Sequence, residues 1–172
     1  GLTMPRVDFS ALPDHGRLWV FPLSRALSAQ ESGMVLRQVD AFLDNWAAHG
    51  RQLQSGRELR DGCFLLIGVD EHAEAASGCS IDALVNGLCS LGDELGVSFV
   101  DHSPVWYRNG DGVQSVSRPV FKEMVGQGHV SRQTSVFDTS LTRMGFLRDT
   151  GLERPAGETW HGKAFFKRDT NS

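Results

Sequence analysis

Apolar and polar positions alternate, cluster and recur along this chain in a way that predicts its elements before any count of residues is needed. Arg17 to Leu23 contains the β-rich run Leu18-Trp19-Val20-Phe21 between Gly16 and Pro22, and reads as a strand. Ser28 and Glu31 then have the spacing of a capping box, and Val35, Val39, Phe42, Leu43 and Trp46 recur on one helical face. That helix is expected to end at Gly50 in a left-handed conformation, with His49 as a polar cap at its last turn. Gln52–Leu59 and Cys63–Val69 read as two strands joined by Arg60-Asp61-Gly62, whose Asp and Gly tolerate the backbone of a tight turn. The second of these is apolar at every position, which predicts a central strand covered on both faces. A second helix is expected from Ile81 to Leu95, with Ser80 as N-cap, Asp82 in the first turn, Ile81, Leu84, Val85, Leu88 and Leu91 as its buried stripe, and Gly96 as its stop.

Beyond Pro104, Val105–Arg108 and Val113–Val116 read as a hairpin across Asn109-Gly110-Asp111-Gly112. Ser117 caps a short helix to about Val125, Ser135–Asp138 is a brief strand, Thr139 is a candidate cap for a helix ending near Leu147, and Gly151–Gly157 reads as irregular. Residues 17 to 108 thus follow the order β-α-β-β-α-β. The fold class predicted is α+β, a ferredoxin-like core of two split β-α-β units with a C-terminal β-α-β extension. One domain is expected over 13–168, its core at 17–108 and a C-terminal subdomain at 109–168. Residues 1–12 and 169–172 are expected to be loose, Gly1 being a tag remnant and Met4 the natural start.

Composition narrows the function classes. At 172 residues, 40% apolar and 22% charged, the chain has the make-up of a globular domain. A net charge of −4 lacks the basic footprint of a phosphate-backbone binder, so no nucleic-acid partner is expected. Cys63, Cys79 and Cys89 are an odd set without C-x-x-C spacing, which fits free thiols in a cytoplasmic, reducing setting. No apolar run approaches the roughly 20 residues of a membrane span. A P-loop, a Gly-rich dinucleotide fingerprint and a G-x-S-x-G elbow are all missing, so no cofactor is expected.

Chemistry concentrates in Asp70-Glu71-His72, at the end of the central strand, and in Ser77-Gly78-Cys79-Ser80-Ile81-Asp82, which enters the second helix. Free amides and the dipole at a helix start stabilise negative charge, and Gly78 permits close approach. Asp70, Glu71, Ser77, Gly78, Ser80 and Asp82 are therefore candidate ligand-binding residues for a small anion or a protein partner. The same field would favour the thiolate of Cys79, with His72 or His161 as its base. Against this stands the plainer reading that Ser-Gly-Cys-Ser is an ordinary helix cap and that free cysteines are commonly buried. Adjacent Asp70, Glu71 and His72 point to alternating sides of an extended backbone, so no metal site is expected. Trp19, Phe42 and Trp46 read as core, whereas Trp160, next to His161, sits in a tail expected to dock as an ordered clasp and to join the site. Two functions follow: a binding or interaction protein, or a thiol-dependent hydrolase or acyl-transfer enzyme.

Leu18-Trp19-Val20-Phe21, Phe42-Leu43 with Trp46 and His49, Phe64 to Glu71, Ser77 to Asp82, Val136-Phe137-Asp138 and Trp160-His161 together carry a resemblance. In these pieces the chain resembles a family of short bacterial proteins of unestablished activity that often bear the label "ABC transporter ATPase". The resemblance implies no reaction, because the label requires a phosphate-cradling loop that the sequence lacks. Ser117 to Met144, with Phe121, Gly128, Val136 and Phe137, is also similar to the small GYF-type module, which implies a binding role.

Overall fold

The computed structural model describes residues 6–167. The expectations for Gly1, Met4 and residues 169–172 lie outside that range. The chain forms two compact units: unit 1 comprises the residues up to Asp101 together with Ser140–Asp149, and unit 2 comprises His102–Thr139 and the residues from Thr150 onward. Both are built of helices and antiparallel strands, a mixed α+β construction.

In unit 1, β1 (Arg17–Pro22), β4 (Gln54–Arg60) and β5 (Phe64–Asp70) form a sheet of order β1-β5-β4, antiparallel throughout. β5 is central, and Phe64, Leu65, Leu66, Ile67 and Val69 are all 0% exposed, as its unbroken apolar run predicts. The turn into β5 uses positive φ at Asp61 (55°) and Gly62 (61°), the centre of a tight turn closed by Cys63 N donating to Arg60 O at 2.9 Å, and Cys63 is the extra residue before the Arg60↔Phe64 pair. One face of the sheet packs on α1 (Ala29–Leu43) and α2 (Gly78–Leu95) through a core that includes Val35, Val39, Leu43, Trp46, Ile67, Leu84 and Leu88. The capping box at α1 is present, with Ser28 Oγ accepting from Glu31 N at 3.1 Å and Glu31 accepting from Ser28 N at 3.0 Å.

Three expectations change. First, α1 ends at Leu43, not Gly50, and the chain turns into a small hairpin of β2 (Ala47–Ala48) and β3 (Arg51–Gln52). His49 (φ 53°) and Gly50 (φ 75°) are its two turn residues, so the left-handed glycine closes a hairpin instead of a helix. Second, residues 6–12 are not loose. Val7 N donates to Ser55 O at 2.7 Å, a 3₁₀ turn runs over Phe9–Ala11, and Phe9 and Leu12 are buried. The seat for this arm is a flat spot where Gly56 and Gly68 face each other across β4 and β5. A Cβ at Gly56 would lie 2.8 Å from Val7 O, and one at Gly68 would lie 2.5 Å from Leu12 Cδ1. Third, the strand expected to complete the first sheet lies elsewhere. β1 is extended on its outer side by Leu18 N donating to Thr142 O at 2.9 Å, while β6 (Val105–Asn109) belongs to unit 2, so the strand order does not confirm a ferredoxin-like core.

Unit 2 is a four-stranded sheet of order β7-β6-β8-β9, formed by β6, β7 (Gly112–Val116), β8 (Ser135–Phe137) and β9 (Glu153–Pro155). It packs against α3 (Arg118–Gly126) and α5 (Trp160–Phe165) around Val105, Tyr107, Phe121 and Val136. The remaining helix, α4 (Met144–Thr150), follows β8 without a cap at Thr139. The segment expected to be irregular contains β9 and a 3₁₀ turn at Ala156–Glu158, because its backbone pairs with β8 through Ser135↔Pro155 and Val136↔Arg154. Among the described residues no helix is long and apolar enough to cross a membrane.

Candidate functional site

The loop from β5 into α2 is closed by its own side chains. Asp70 Oδ1 accepts from His72 N at 3.0 Å, and Glu71 Oε2 accepts from Ala76 N at 2.9 Å. The N-cap of α2 is Ser77, not Ser80: Ser77 Oγ accepts from Ser80 N at 3.1 Å, and Ser80 Oγ accepts in return from Ser77 N at 2.8 Å. Serine thus takes the place usually held by Glu or Gln in a capping box. Ser80 is only 4% exposed, and its carbonyl accepts from Trp46 Nε1 at 2.8 Å. Trp46 in turn meets Trp19 edge-on at 6.0 Å, so the first turn of α2 is bolted to the sheet by an indole from beyond α1.

These contacts alter the expected chemistry of the segment. Two of the amides that a bound anion would use, Ser80 N and Ala76 N, already have oxygen partners, and Ile81 N donates to Ser77 O at 2.9 Å. The stretch 70–82 carries Asp70, Glu71, Glu74 and Asp82 with no Lys or Arg; Arg17 and Arg51 lie 3.9 Å from Glu71 and 4.0 Å from Glu74 and offset part of that charge, but the segment itself supplies no cation for an anionic ligand. A Cβ at Gly78 would meet nothing within 4 Å, so no close approach of other backbone calls for glycine there. Asp82 lies beyond the first turn and is exposed.

Cys79 is exposed at the second position of α2, and no hydrogen bond joins it to His72, which is also exposed. Trp160 and His161 belong to unit 2, where Thr159 caps α5. Thr159 Oγ1 donates to Ala156 O at 3.0 Å and lies 2.7 Å from His161 Nδ1, which assigns the ring proton to Nδ1. The imidazole is 1% exposed and stacks on Trp160 at 3.9 Å, with Phe121 edge-on to it at 6.5 Å. Burial lowers its pKa from 6.5 to about 4; Arg118 and Arg154 push the same way, and Asp138 opposes them. The neutral ring is therefore a packed part of the unit 2 core. The expected clasp is ordered, as α5.

The three thiols differ in environment. Cys63 is 3% exposed, its Sγ sits 3.6 Å from Leu23 O, and burial with Asp61 nearby pushes its pKa up to about 11. Native protein treated with iodoacetamide is expected to take two labels, at Cys79 and Cys89, with the third entering Cys63 only after denaturation. Peptide mapping checks this, and native labelling of Cys63 at the rate of the other two would contradict the placement.

Sequence periodicity missed a groove on the surface between α1 and α2. It has a volume of about 190 Å³ and is lined by Val39, Phe42, Leu84, Leu88 and Leu91, with Gly87 on its α2 side and Gln38, Ser90 and Glu94 around them. Periodicity places the apolar lining residues in a core stripe, and Val39, Leu84, Leu88 and Leu91 are buried, but Gly87 leaves a gap opposite Phe42. Glycine on the inner side of an amphipathic helix, where it costs roughly 1 kcal/mol relative to Ala, was the signal available in the sequence.

Among the described residues, no group of three or more His, Cys, Asp or Glu side chains is arranged to hold a metal ion. No family model, curated protein or solved structure matches the chain.

Proposed function

We propose that the protein is a binding protein and that unit 1 receives a small apolar group, of the size of a benzene or indole ring, in the groove between α1 and α2. The observation that carries this reading is the groove itself, about 190 Å³ between five apolar side chains. Apolar cavities of about 150 Å³ lined by Leu, Ile and Phe take up benzene, so the volume suits one ring. The loop at the start of α2, with its amides capped and its carboxylates clustered, supports an anionic ligand less well.

Indole is the probe. Held at about ten times its Kd, it is expected to raise the thermal midpoint by about 3 °C or more, since a ligand bound only to the native state stabilises by mass action. Gly87→Leu fills the gap opposite Phe42 and is expected to abolish the rise while the helix persists. No rise with the wild type, or an equal rise with the variant, rejects the groove. The thiol-enzyme reading has its own test, because Cys79 and Cys89 are both exposed on α2 and one serves as reference for the other. The binding reading expects comparable alkylation rates at pH 6. A Cys79 that reacts far faster would restore the enzyme reading.

A further inference from the structure

We propose that unit 2 carries a second site, for a small carboxylate with an apolar body, in the cleft between the β6–β7 hairpin and the start of α3. The cleft has a volume of about 400 Å³, within the usual range for small-ligand pockets. Pro104, Val116 and Pro119 provide apolar walls, Ser115 and Ser117 provide hydroxyls, and Arg118 provides the only charge among the lining residues.

Arg118 is held ready. Its Nε donates to Ser103 O at 3.0 Å, and its guanidinium carbon lies 4.9 Å from the centroid of the Trp160 ring, which is itself stacked on His161 at 3.9 Å. The hydrogen bond to Ser103 O and the contact with Trp160 restrain the guanidinium before any ligand arrives, which lowers the ordering cost of binding. Among the described residues no carboxylate forms an ion pair with it, unlike Arg108 with Glu153 at 2.8 Å. The terminal nitrogens of a planar guanidinium match the two oxygens of a carboxylate, and the proline and valine walls favour a ligand whose remainder is apolar.

The distribution of charge agrees. Unit 1 holds nine Lys and Arg against fifteen Asp and Glu, whereas unit 2 holds eight against six and contains all three lysines. An anion is therefore favoured at unit 2, although the sequence pattern had pointed to the acidic loop of unit 1. This inference does not rest on the groove between α1 and α2.

The test is an NMR titration of the full, ¹⁵N-labelled chain with benzoate, benzyl alcohol and acetate. Benzoate is expected to shift the amides of Ser115, Val116, Ser117, Arg118 and Val120 and the Trp160 indole, and to bind at least about tenfold more tightly than either partial analogue. Arg118→Gln is expected to weaken benzoate about tenfold or more while the amide spectrum outside the cleft remains that of the folded wild type. Ser115→Phe, which fills the cleft and keeps Arg118, is expected to block it. The carboxylate could come from a free acid or from a peptide C-terminus. Benzoate the tighter ligand assigns the free acid; acetyl-Ala-Phe the tighter, with its C-terminal amide inert, assigns the chain end. Acetate equal to benzoate, shifts centred outside the cleft, or undiminished binding in Arg118→Gln would each overturn the proposal.

Discussion

Alanine at Gly92 is expected to destabilise unit 1 by about 2–4 kcal/mol, while alanine at Gly87, five residues earlier in the same helix, is expected to stabilise it by about 0.5–1 kcal/mol. The opposite signs follow from what an added methyl would meet. At Gly92 a Cβ would lie 2.4 Å from Val97 O and 3.4 Å from Phe99 Cδ2, because the chain reverses tightly there after α2. The reversal is held by Gly96, with φ of 67°, and by Gly96 N and Val97 N, which both donate to Gly92 O, the latter at 3.0 Å. Backbone cannot move aside as a flexible side chain can. The clash therefore has to displace Val97 and Phe99, which are 8% and 1% exposed. At Gly87 the nearest atoms are Phe42 Cδ2 and Cε2 at 3.8 and 3.9 Å, ordinary contact distances, so only the intrinsic helix preference for Ala remains. Urea unfolding of the two variants against the wild type measures both values. Equal effects at the two positions would mean that the close approach after α2 is wrong.

The second large effect is acid destabilisation of unit 2 through His161. Its folded-state pKa is lowered from 6.5 to about 4, chiefly by burial, so between these values the unfolded chain binds a proton that the folded chain excludes. Stability from this group is complete above about pH 6.5, falls as the pH drops, and has fallen by about 3 kcal/mol once the pH passes below about 4. Acidic side chains also contribute to acid destabilisation, so the measurement is a comparison. His161→Phe keeps a ring beside Trp160 and Phe121 but removes the titrating nitrogen. The variant loses the contact of Nδ1 with Thr159 and is expected to be less stable at pH 7.5. Its stability should nonetheless decline less than that of the wild type between pH 7.5 and 4. Hydrogen exchange at the amides of β6 and β8 reads this locally, and parallel declines would show that the imidazole is not excluded from protonation.

What the sequence could reveal depended on how far apart the interacting residues lie. The capping box of Ser28 and Glu31 involves groups three positions apart, and it is found as read. The turn at Asp61-Gly62 is likewise local, because it rests on which residues accept positive φ. The central position of β5 was legible because a strand apolar on both sides has to be covered on both sides. Trp46 shows where such reasoning stops. It falls on the α1 stripe by periodicity, yet α1 has ended at Leu43, and the indole is buried because the β2–β3 hairpin carries it to Ser80 O. Nothing local to Trp46 announces that partner, thirty-four positions away.

The candidate site divides in the same way. A helix start in this segment was legible, because caps are short-range, but the cap is Ser77 three residues ahead of the expected Ser80, which puts Cys79 and Ser80 inside α2, and whether the amides there face open space was settled by Glu71 and Ser77 folding back on them. The resting places of Trp160 and Arg118 were not legible, since α5 and α3 become neighbours only when the unit 2 sheet assembles beneath them. By itself, then, the sequence determined β1, the central β5, the capping box and buried stripe of α1, the stripe of α2, the β6–β7 hairpin and the Asp61-Gly62 turn, because hydrophobic period and backbone preference act within a few residues. Tertiary structure alone decided which strands share a sheet, how charge divides between the units, and where clefts remain, because those outcomes depend on contacts between segments that no local pattern records.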